Sequence, residues 1–389
     1  MPKVLIVSGE PSGDVFAAGL IPPLKKLNES IYFYAMGGKN CAEAGAELIA
    51  DIKELSVMGF IEVLFKLKTI KKLLNKVLEW IKLNKPEVII LVDFPSFNFK
   101  IAKFAYELGI PTVYFIPPKI WASRYGRINF IKKYIKFVIN IFPFEQKIYN
   151  NEGVESYYFG NPLYVLNKKD GVFSSGADIK GAEKIKMKVN GKYPVIAFLP
   201  GSRKTELKYH SKRIIESISL IKSEYKDAFF IFPFRKEINS SYFETVLKNS
   251  NIPEEWYFFT DSMNIALSSS DVIVAASGTA SLEACFYGKP IIIVYYLNYL
   301  TYILAKILVR IKYAGLINIL GNDLIVPELI ESKFTPLNVF SEVDKFLKNG
   351  EYKKSVLNKI SGIISTLDAG VDPFDAAADI IYSKILKNV

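Results

Sequence analysis

The sequence predicts an α/β fold with two doubly wound parallel-sheet domains facing a cleft. Three observations carry this expectation. Short apolar runs alternate with stretches of helical periodicity through most of the 389 residues. The alternation breaks around 164–192 and then starts again. In each half the first apolar run ends in a glycine-containing turn, at Ser8–Asp14 and at Leu199–Arg203. Strands buried on both faces read as continuous apolar runs, so these runs point to sheets covered by helices.

In the first half, strands are expected at Lys3–Ser8, Ile31–Met36, Glu87–Val92, Thr112–Ile116, Phe137–Ile141 and Ser156–Phe159. Helical patterns lie between them near 13–28, 60–83, 99–108, 127–136 and 144–151. The break contains Asn167-Lys168-Lys169-Asp170-Gly171, then Ser174-Ser175-Gly176 and a lysine-rich segment, which read as a linker. The second half places strands at Val195–Leu199, Phe229–Pro233, Trp256–Thr260, Val272–Ala276 and Ile291–Tyr295, with further helices to the C-terminus. The domains are expected at 1–165 and 166–365, with a C-terminal helix, about 366–389, packing back on the first. In such sheets ligands bind beyond the carboxyl ends of the strands.

Half of the residues are hydrophobic and 14% are aromatic, enough for large cores and against disorder. The net charge of +11 favours an anionic partner: a phosphate ligand, an anionic membrane surface or nucleic acid. Lysine bias of the genome is the bland explanation. Two cysteines without CxxC spacing argue against a disulfide framework and a cysteine metal site. The N-terminus runs straight into a strand, and the longest uncharged stretch, Pro290–Ala305, falls short of the ~20 apolar residues of a membrane span. The expectation is a cytoplasmic protein that touches a membrane without crossing it.

The richest motif is Ser277-Gly278-Thr279-Ala280-Ser281-Leu282-Glu283, after the apolar run Val272–Ala276. A strand-to-helix turn here aims backbone amides and the helix dipole at a ligand. Glu283, one helical turn on, suits two sugar hydroxyls, so the motif suggests a sugar nucleotide; an ordinary capped helix is the alternative. Gly201, Ser202 and Arg203 follow the first strand of the second half, where an arginine can grip a pyrophosphate. Gly9 and Gly13 allow close backbone approach in the first half, and Ser12 or Asp14 is expected to cap the following helix. Asp93 ends the apolar strand 88–92 and precedes Phe94-Pro95-Ser96-Phe97-Asn98. A carboxylate there carries a desolvation cost unless used or paired, which favours a catalytic base over a helix cap. The single histidine, His210, lies in a hydrophilic stretch and is expected to face solvent. General base work then falls to carboxylates, and with no Asp-x-Asp in the chain neither metal nor cofactor is expected. Two basic apolar stretches, Met58–Lys82 and Tyr299–Tyr313, suit either an anionic membrane face or helices packed on a core. No nucleic-acid module signature is present.

Taken in order, these motifs resemble the lipid-A-disaccharide synthase family. The resemblance rests on Ser8-Gly9-Glu10-x-Ser12-Gly13-Asp14, Leu55-Ser56-Val57-Met58-Gly59 with Glu62-Val63-Leu64, Asp93-x-Pro95-x-Phe97-Asn98, Trp121-Ala122, Phe142-Pro143-Phe144-Glu145 and Gly160-x-Pro162-Leu163. In the second half it rests on Leu199–Arg203, Ser277–Ala280 with Leu282-Glu283, Asn318-Ile319-Leu320 and Pro327-Glu328-Leu329. It implies a GT-B fold of two Rossmann-like domains and transfer of 2,3-diacylglucosamine from its UDP conjugate to 2,3-diacylglucosamine 1-phosphate. Inversion at the anomeric carbon, no metal, peripheral contact with the inner membrane and a homodimer are implied with it. Asp93 would be the base. Gly201, Ser202, Arg203, Ser277, Gly278, Thr279, Ala280 and Glu283 would hold the donor. Glu10, Ser12, Gly13, Asp14, Asn98 and Glu328 would line the acceptor side. The chain departs from the family pattern at Ser96, Ser123 and Asn161. Two other readings stand beside this one: another GT-B enzyme of UDP-N-acetylglucosamine, transferase or epimerase, and a non-catalytic sugar-nucleotide-binding relic.

Overall fold

Every apolar run read as a strand is one in the computed structural model, which describes residues 1–56, 63–169, 189–201, 203–234, 240–297 and 311–387. The chain divides into two units, Met1–Pro162 with Leu367–Val389, and Leu163–Thr366.

The first unit holds seven strands: β1 (Lys3–Val7), β2 (Tyr32–Gly37), β3 (Glu47–Asp51), β4 (Val88–Val92), β5 (Thr112–Phe115), β6 (Phe137–Asn140) and β7 (Ser156–Tyr158). They form one parallel sheet in the order β3-β2-β1-β4-β5-β6-β7. β4 is buried along its whole length, as a central strand between helical layers must be. β3 was not expected: its ELIAD sequence is short and flanked by charge, and pairing with β2 decides it.

Helix Val63–Asn84 settles one alternative for the described part of the first basic stretch. Leu73, Leu74, Val77 and Ile81 are buried in the core, while Lys71, Lys72, Lys76 and Lys82 are exposed. Along Leu73–Ile81 its apolar face is therefore occupied by protein. Residues 58–62 of that stretch, and 299–310 of the second one, lie outside the described residues. No described helix is long and apolar enough to cross a membrane.

The chain returns to the first unit at its C-terminus. Asp372 caps helix Pro373–Ile381 through the amides of Phe374 and Asp375. A side chain on Gly19 would meet the Phe374 ring at 2.3 Å, so glycine there lets the last helix seat against helix Pro11–Leu27.

The second unit holds six strands: β8 (Val195–Leu199), β9 (Phe229–Pro233), β10 (Tyr257–Thr260), β11 (Val272–Ala276), β12 (Ile291–Tyr295) and β13 (Glu328–Ile330). They too are parallel, in the order β10-β9-β8-β11-β12-β13. β13 is only three residues long and was not expected as a strand. The stretch read as a linker begins as helix Pro162–Lys169, and 170–188 lie outside the described residues.

Candidate active site

In the first unit the strand order reverses between β1 and β4, which pair with Val7 opposite Leu91. Connections leave these two strands in opposite directions, which opens a crevice at their carboxyl ends. The turns after Val7 and after Val92 both start there. Asp93 and Phe94 take left-handed backbone angles, φ 46° and 49°. Such angles are uncommon outside glycine, tolerated better by aspartate than by most residues and rare for a bulky aromatic one. A Cβ on Gly9 would lie 2.2 Å from the Phe94 ring, so glycine is what lets the two turns pack together.

Asp93 is exposed, which corrects the expectation of a desolvated carboxylate. It is also not a helix cap. The N-cap of helix Pro95–Glu107 is Phe94, and no side chain caps that helix. Among the described residues the Asp93 carboxylate has no hydrogen-bond or ion-pair partner, whereas its backbone is firmly held. Its carbonyl accepts from Asn98 Nδ2 and from the Tyr114 hydroxyl, both at 2.6 Å, and its amide donates to Ile116 O at 3.3 Å. The turn is rigid and the carboxylate free, which suits proton transfer.

Glu10 and Ser12 are exposed on the neighbouring turn, with Glu10 at the N-cap of helix Pro11–Leu27. Gly13 is buried, and a Cβ there would stand 3.3 Å from Ser8 Cβ. Asp14 and Asn98 do not line an acceptor surface. Asp14 is 2% exposed. Its carboxylate accepts from the amides of Gly38 (2.6 Å), Asn40 (3.0 Å) and Cys41 (3.3 Å) and from Asn40 Nδ2 (2.8 Å). It thus closes the start of helix Lys39–Glu43 rather than its own helix. Burial pushes the Asp14 carboxyl up, and hydrogen bonds from Cys41, Gly38 and Asn40 outweigh it to hold the group below the usual carboxylate range. Asn98 is fully buried, and its amide serves the carbonyls of Val92 and Asp93.

Tyr114 is a site residue the sequence reading missed. It is buried in β5, and its hydroxyl fixes the Asp93 turn. A buried tyrosine must find a partner for its hydroxyl, which is the only signal the sequence carried. Burial, followed by the charge of Asp93, raises its phenol well above the usual value. Farther along the same edge, Glu145 is buried and accepts from Trp121 Nε1 at 2.8 Å and from the amides of Phe142 and Ile141. Asn161 is buried, donating from Nδ2 to Ile141 O at 3.0 Å and from its amide to Leu367 O at 2.9 Å. These motif residues build the scaffold.

The second unit repeats the arrangement. Its strand order reverses between β8 and β11, which pair with Leu199 opposite Ala275. The Pro200–Arg203 turn and the Ser277–Ala280 turn leave from that point. Gly201 has φ 115°, and a Cβ on it would stand 2.6 Å from Glu206 Oε2. Glu206 reaches back to the Arg203 amide at 3.1 Å and pairs with its guanidinium at 3.3 Å. The Arg203 side chain is 71% exposed and is held only lightly. Ser202 lies outside the described residues.

At the second turn Gly278 has φ 153° and ψ −166°, a conformation essentially confined to glycine. Ser277 is not an amide donor for a ligand, contrary to expectation. Its amide donates to Val294 O at 3.1 Å and its hydroxyl to Ala314 O at 2.7 Å. The Gly278 amide donates to Ser281 Oγ at 3.3 Å. Thr279 and Ala280 open helix Thr279–Cys285, where first-turn amides have no acceptor within the helix. Glu283 is half-buried on the same helix.

Glu328 belongs to this unit, and its carboxylate is committed to donors within it. Its carboxylate accepts from the amides of Ala314 (2.9 Å) and Gly315 (2.7 Å) and from Asn318 Nδ2 (2.8 Å). Asn318 is fully buried and also satisfies the amides of Ile325 and Val326 and the Val326 carbonyl. Because Ala314 O receives the Ser277 hydroxyl, this network braces the Ser277 turn from behind.

His210 overturns the expectation of a solvent-facing residue. It is 0% exposed. The Tyr296 amide donates to Nε2 at 3.0 Å, so Nδ1 carries the proton and donates to Pro200 O at 2.7 Å. Desolvation lowers its pKa against the pull of the Pro200 carbonyl and Glu206. The ring is a neutral strut between the Pro200–Arg203 turn and the end of β12. Neither nitrogen is left for base catalysis or a metal. Its hydrophilic sequence neighbours hid this, because one helix carries both a solvated and a buried face.

Comparison with known proteins now decides the family. The family model for lipid-A-disaccharide synthetase matches residues 4–368. The chain belongs to the lipid-A-disaccharide synthetase family. It is 32% identical over 368 residues to lipid-A-disaccharide synthase 1 of Legionella pneumophila (strain Lens), covering 94% of each chain. It is 31% identical over 368 residues to lipid-A-disaccharide synthase of Coxiella burnetii (strain RSA 331 / Henzerling II), covering 95% of each. Among solved structures it resembles the UDP-GlcNAc 2-epimerase from Neisseria meningitidis bound to UDP-GlcNAc, with TM-score 0.62, 14% identity and coverage of 99% and 100%. That likeness shows the GT-B fold. The chain is thus a GT-B glycosyltransferase of lipid A biosynthesis.

Proposed function

We propose that this family member joins UDP-2,3-diacylglucosamine to 2,3-diacylglucosamine 1-phosphate, yielding the β(1→6)-linked disaccharide 1-phosphate and UDP. The first unit carries the base and the acceptor. Asp93 takes the proton of the acceptor 6-hydroxyl. The freed oxygen attacks the donor's anomeric carbon from the face opposite UDP, and the carbon–oxygen bond to the β-phosphate breaks with its electron pair leaving on UDP. Configuration inverts.

The second unit carries the donor. Arg203 and the amides of Thr279 and Ala280 stabilise the charge that grows on the departing pyrophosphate. Gly201 and Gly278 let backbone approach it, Ser202 joins them, and Glu283 holds the ribose. Ser277, Glu328 and His210 act from behind as positioning residues, as Asn98 and Tyr114 do for the Asp93 turn. The observation that carries this reading is the convergence of two glycine turns, a lightly held arginine and first-turn amides where the second sheet reverses its strand order.

A membrane surface would supply both acylated substrates, and the exposed lysines of helix Val63–Asn84 suit an anionic one. The test is incubation of the purified protein with both substrates, followed by mass spectrometry. Disaccharide 1-phosphate and UDP are expected. Epimerised or intact UDP-sugar alone would replace this reading by one of its alternatives.

A further inference from the structure

β5 pairs directly with β4, Phe115 opposite Val92, so the turn that follows β5 starts beside the Asp93 turn. That turn is also strained. Ile116 has φ 63°, a true outlier for a β-branched residue, and Arg124 has φ 54°. Ile116 is locked by its amide to Ile139 O at 3.0 Å and by its carbonyl, which accepts from Asp93. Strain of this kind persists where function requires a fixed loop.

Two arginines sit on this segment. Among the described residues neither Arg124 nor Arg127 pairs with a carboxylate. Arg127 is half-buried, with its guanidinium 5.7 Å from the centre of the Phe99 ring. Phe99 meets Tyr114 edge-on at 6.3 Å, and the Tyr114 hydroxyl holds Asp93 O. A continuous line of contacts therefore leads from the base to Arg127. Burial, and then the like charge of Arg124, lowers the proton affinity of Arg127. The Arg127 amide donates to Arg124 O at 3.0 Å, so one turn carries both cations; with one partly desolvated and neither paired with a carboxylate, the arrangement is unfavourable until an anion joins them. Their planar forks match phosphate oxygens.

We propose that Arg124 and Arg127 form the subsite for the phosphomonoester of the acceptor sugar, an inference that rests on the transfer reading above. Sugar chemistry fits the placement. The anomeric phosphate and the 6-hydroxyl flank the ring oxygen and lie along one edge of the pyranose. A base on the turn after β4 and an anion holder on the segment that follows the adjacent β5 can serve that edge together.

The test uses the full chain in neutral detergent micelles with two acceptors, 2,3-diacylglucosamine with and without its 1-phosphate. Wild type is expected to prefer the phosphorylated acceptor. Arg124→Ala and Arg127→Ala should each raise its KM by about 10–100-fold, leaving the KM for the donor unchanged. The double variant should lose the preference. A double variant that keeps it overturns the proposal. Arg124 is exposed, so Arg124→Ala alone decides the matter if the double variant fails to fold. Should wild type form no disaccharide, the transfer reading fails separately. Calorimetric titration with the acylated sugar 1-phosphate then tests the subsite, and equal binding to wild type and variant refutes it. Phospholipid headgroups share this chemistry. Loss of sedimentation with phosphatidylglycerol vesicles, with acceptor preference intact, would assign the pair to the membrane and overturn the subsite.

Discussion

Replacing Asp93 by asparagine separates chemistry from stability unusually well at this position. Asparagine tolerates the left-handed φ of 46° as aspartate does. The bonds that hold the turn end on the backbone of residue 93 and survive the change. The side chain is exposed, so folding should shift by no more than about 0.5 kcal/mol. The lost proton acceptor should lower kcat by about 10²–10⁴. That corresponds to roughly 2.7–5.5 kcal/mol of barrier, at about 1.36 kcal/mol per factor of ten. Asp93→Ala should lose the same activity and also about 1–2 kcal/mol of stability, because alanine is strained at that φ. The assay pairs initial rates at saturating substrates with urea unfolding and UDP binding. An Asp93→Asn protein within about threefold of wild-type kcat would refute the argument, and exposed Glu10 on the neighbouring turn would become the candidate base.

Four further outcomes are expected. Arg203→Ala should cost about 10²–10³ in rate but no more than about 1 kcal/mol in stability, since its pairing with Glu206 is largely solvated; wild-type kinetics would place the pyrophosphate elsewhere. Asp14→Ala strands buried amides of Gly38 and Cys41 and should destabilise by about 2–4 kcal/mol; a measured loss below about 1 kcal/mol in urea unfolding would contradict that role. His210 is held neutral in the fold while the unfolded residue titrates near ~6.5, so its contribution is complete above that pH and declines as pH falls below it, because only the unfolded chain takes the proton; thermal melts from about pH 8 to 5 should slope less in His210→Leu, and equal slopes would refute the assignment. Turnover should withstand a chelator, since the chain has no Asp-x-Asp and its one histidine is spent on backbone partners; activity lost with chelator and restored by Mg²⁺ would count against it.

Local sequence was enough to establish the alternation of strands and helices, the glycine turns and the residue types placed on them. Central parallel strands are buried on both faces, so Val88–Val92 and Val272–Ala276 announce themselves as apolar runs whatever surrounds them. Asp93, Gly201 and Gly278 could be found because a residue just past such a run sits at a strand's carboxyl end. How those ends come together depends on the folded chain. The reversals at β1/β4 and β8/β11 come from pairings between strands about 80 residues apart, which no local pattern encodes. Folding also settles which polar side chains are free. Asp14, Asn98, Glu328 and His210 look like ligand-binding or surface residues in one dimension. Each is instead committed to backbone groups on other elements. A backbone amide or carbonyl is the same at every residue and leaves no mark in the sequence. Only the folded chain shows that those side chains are occupied and that the Asp93 carboxylate is left open.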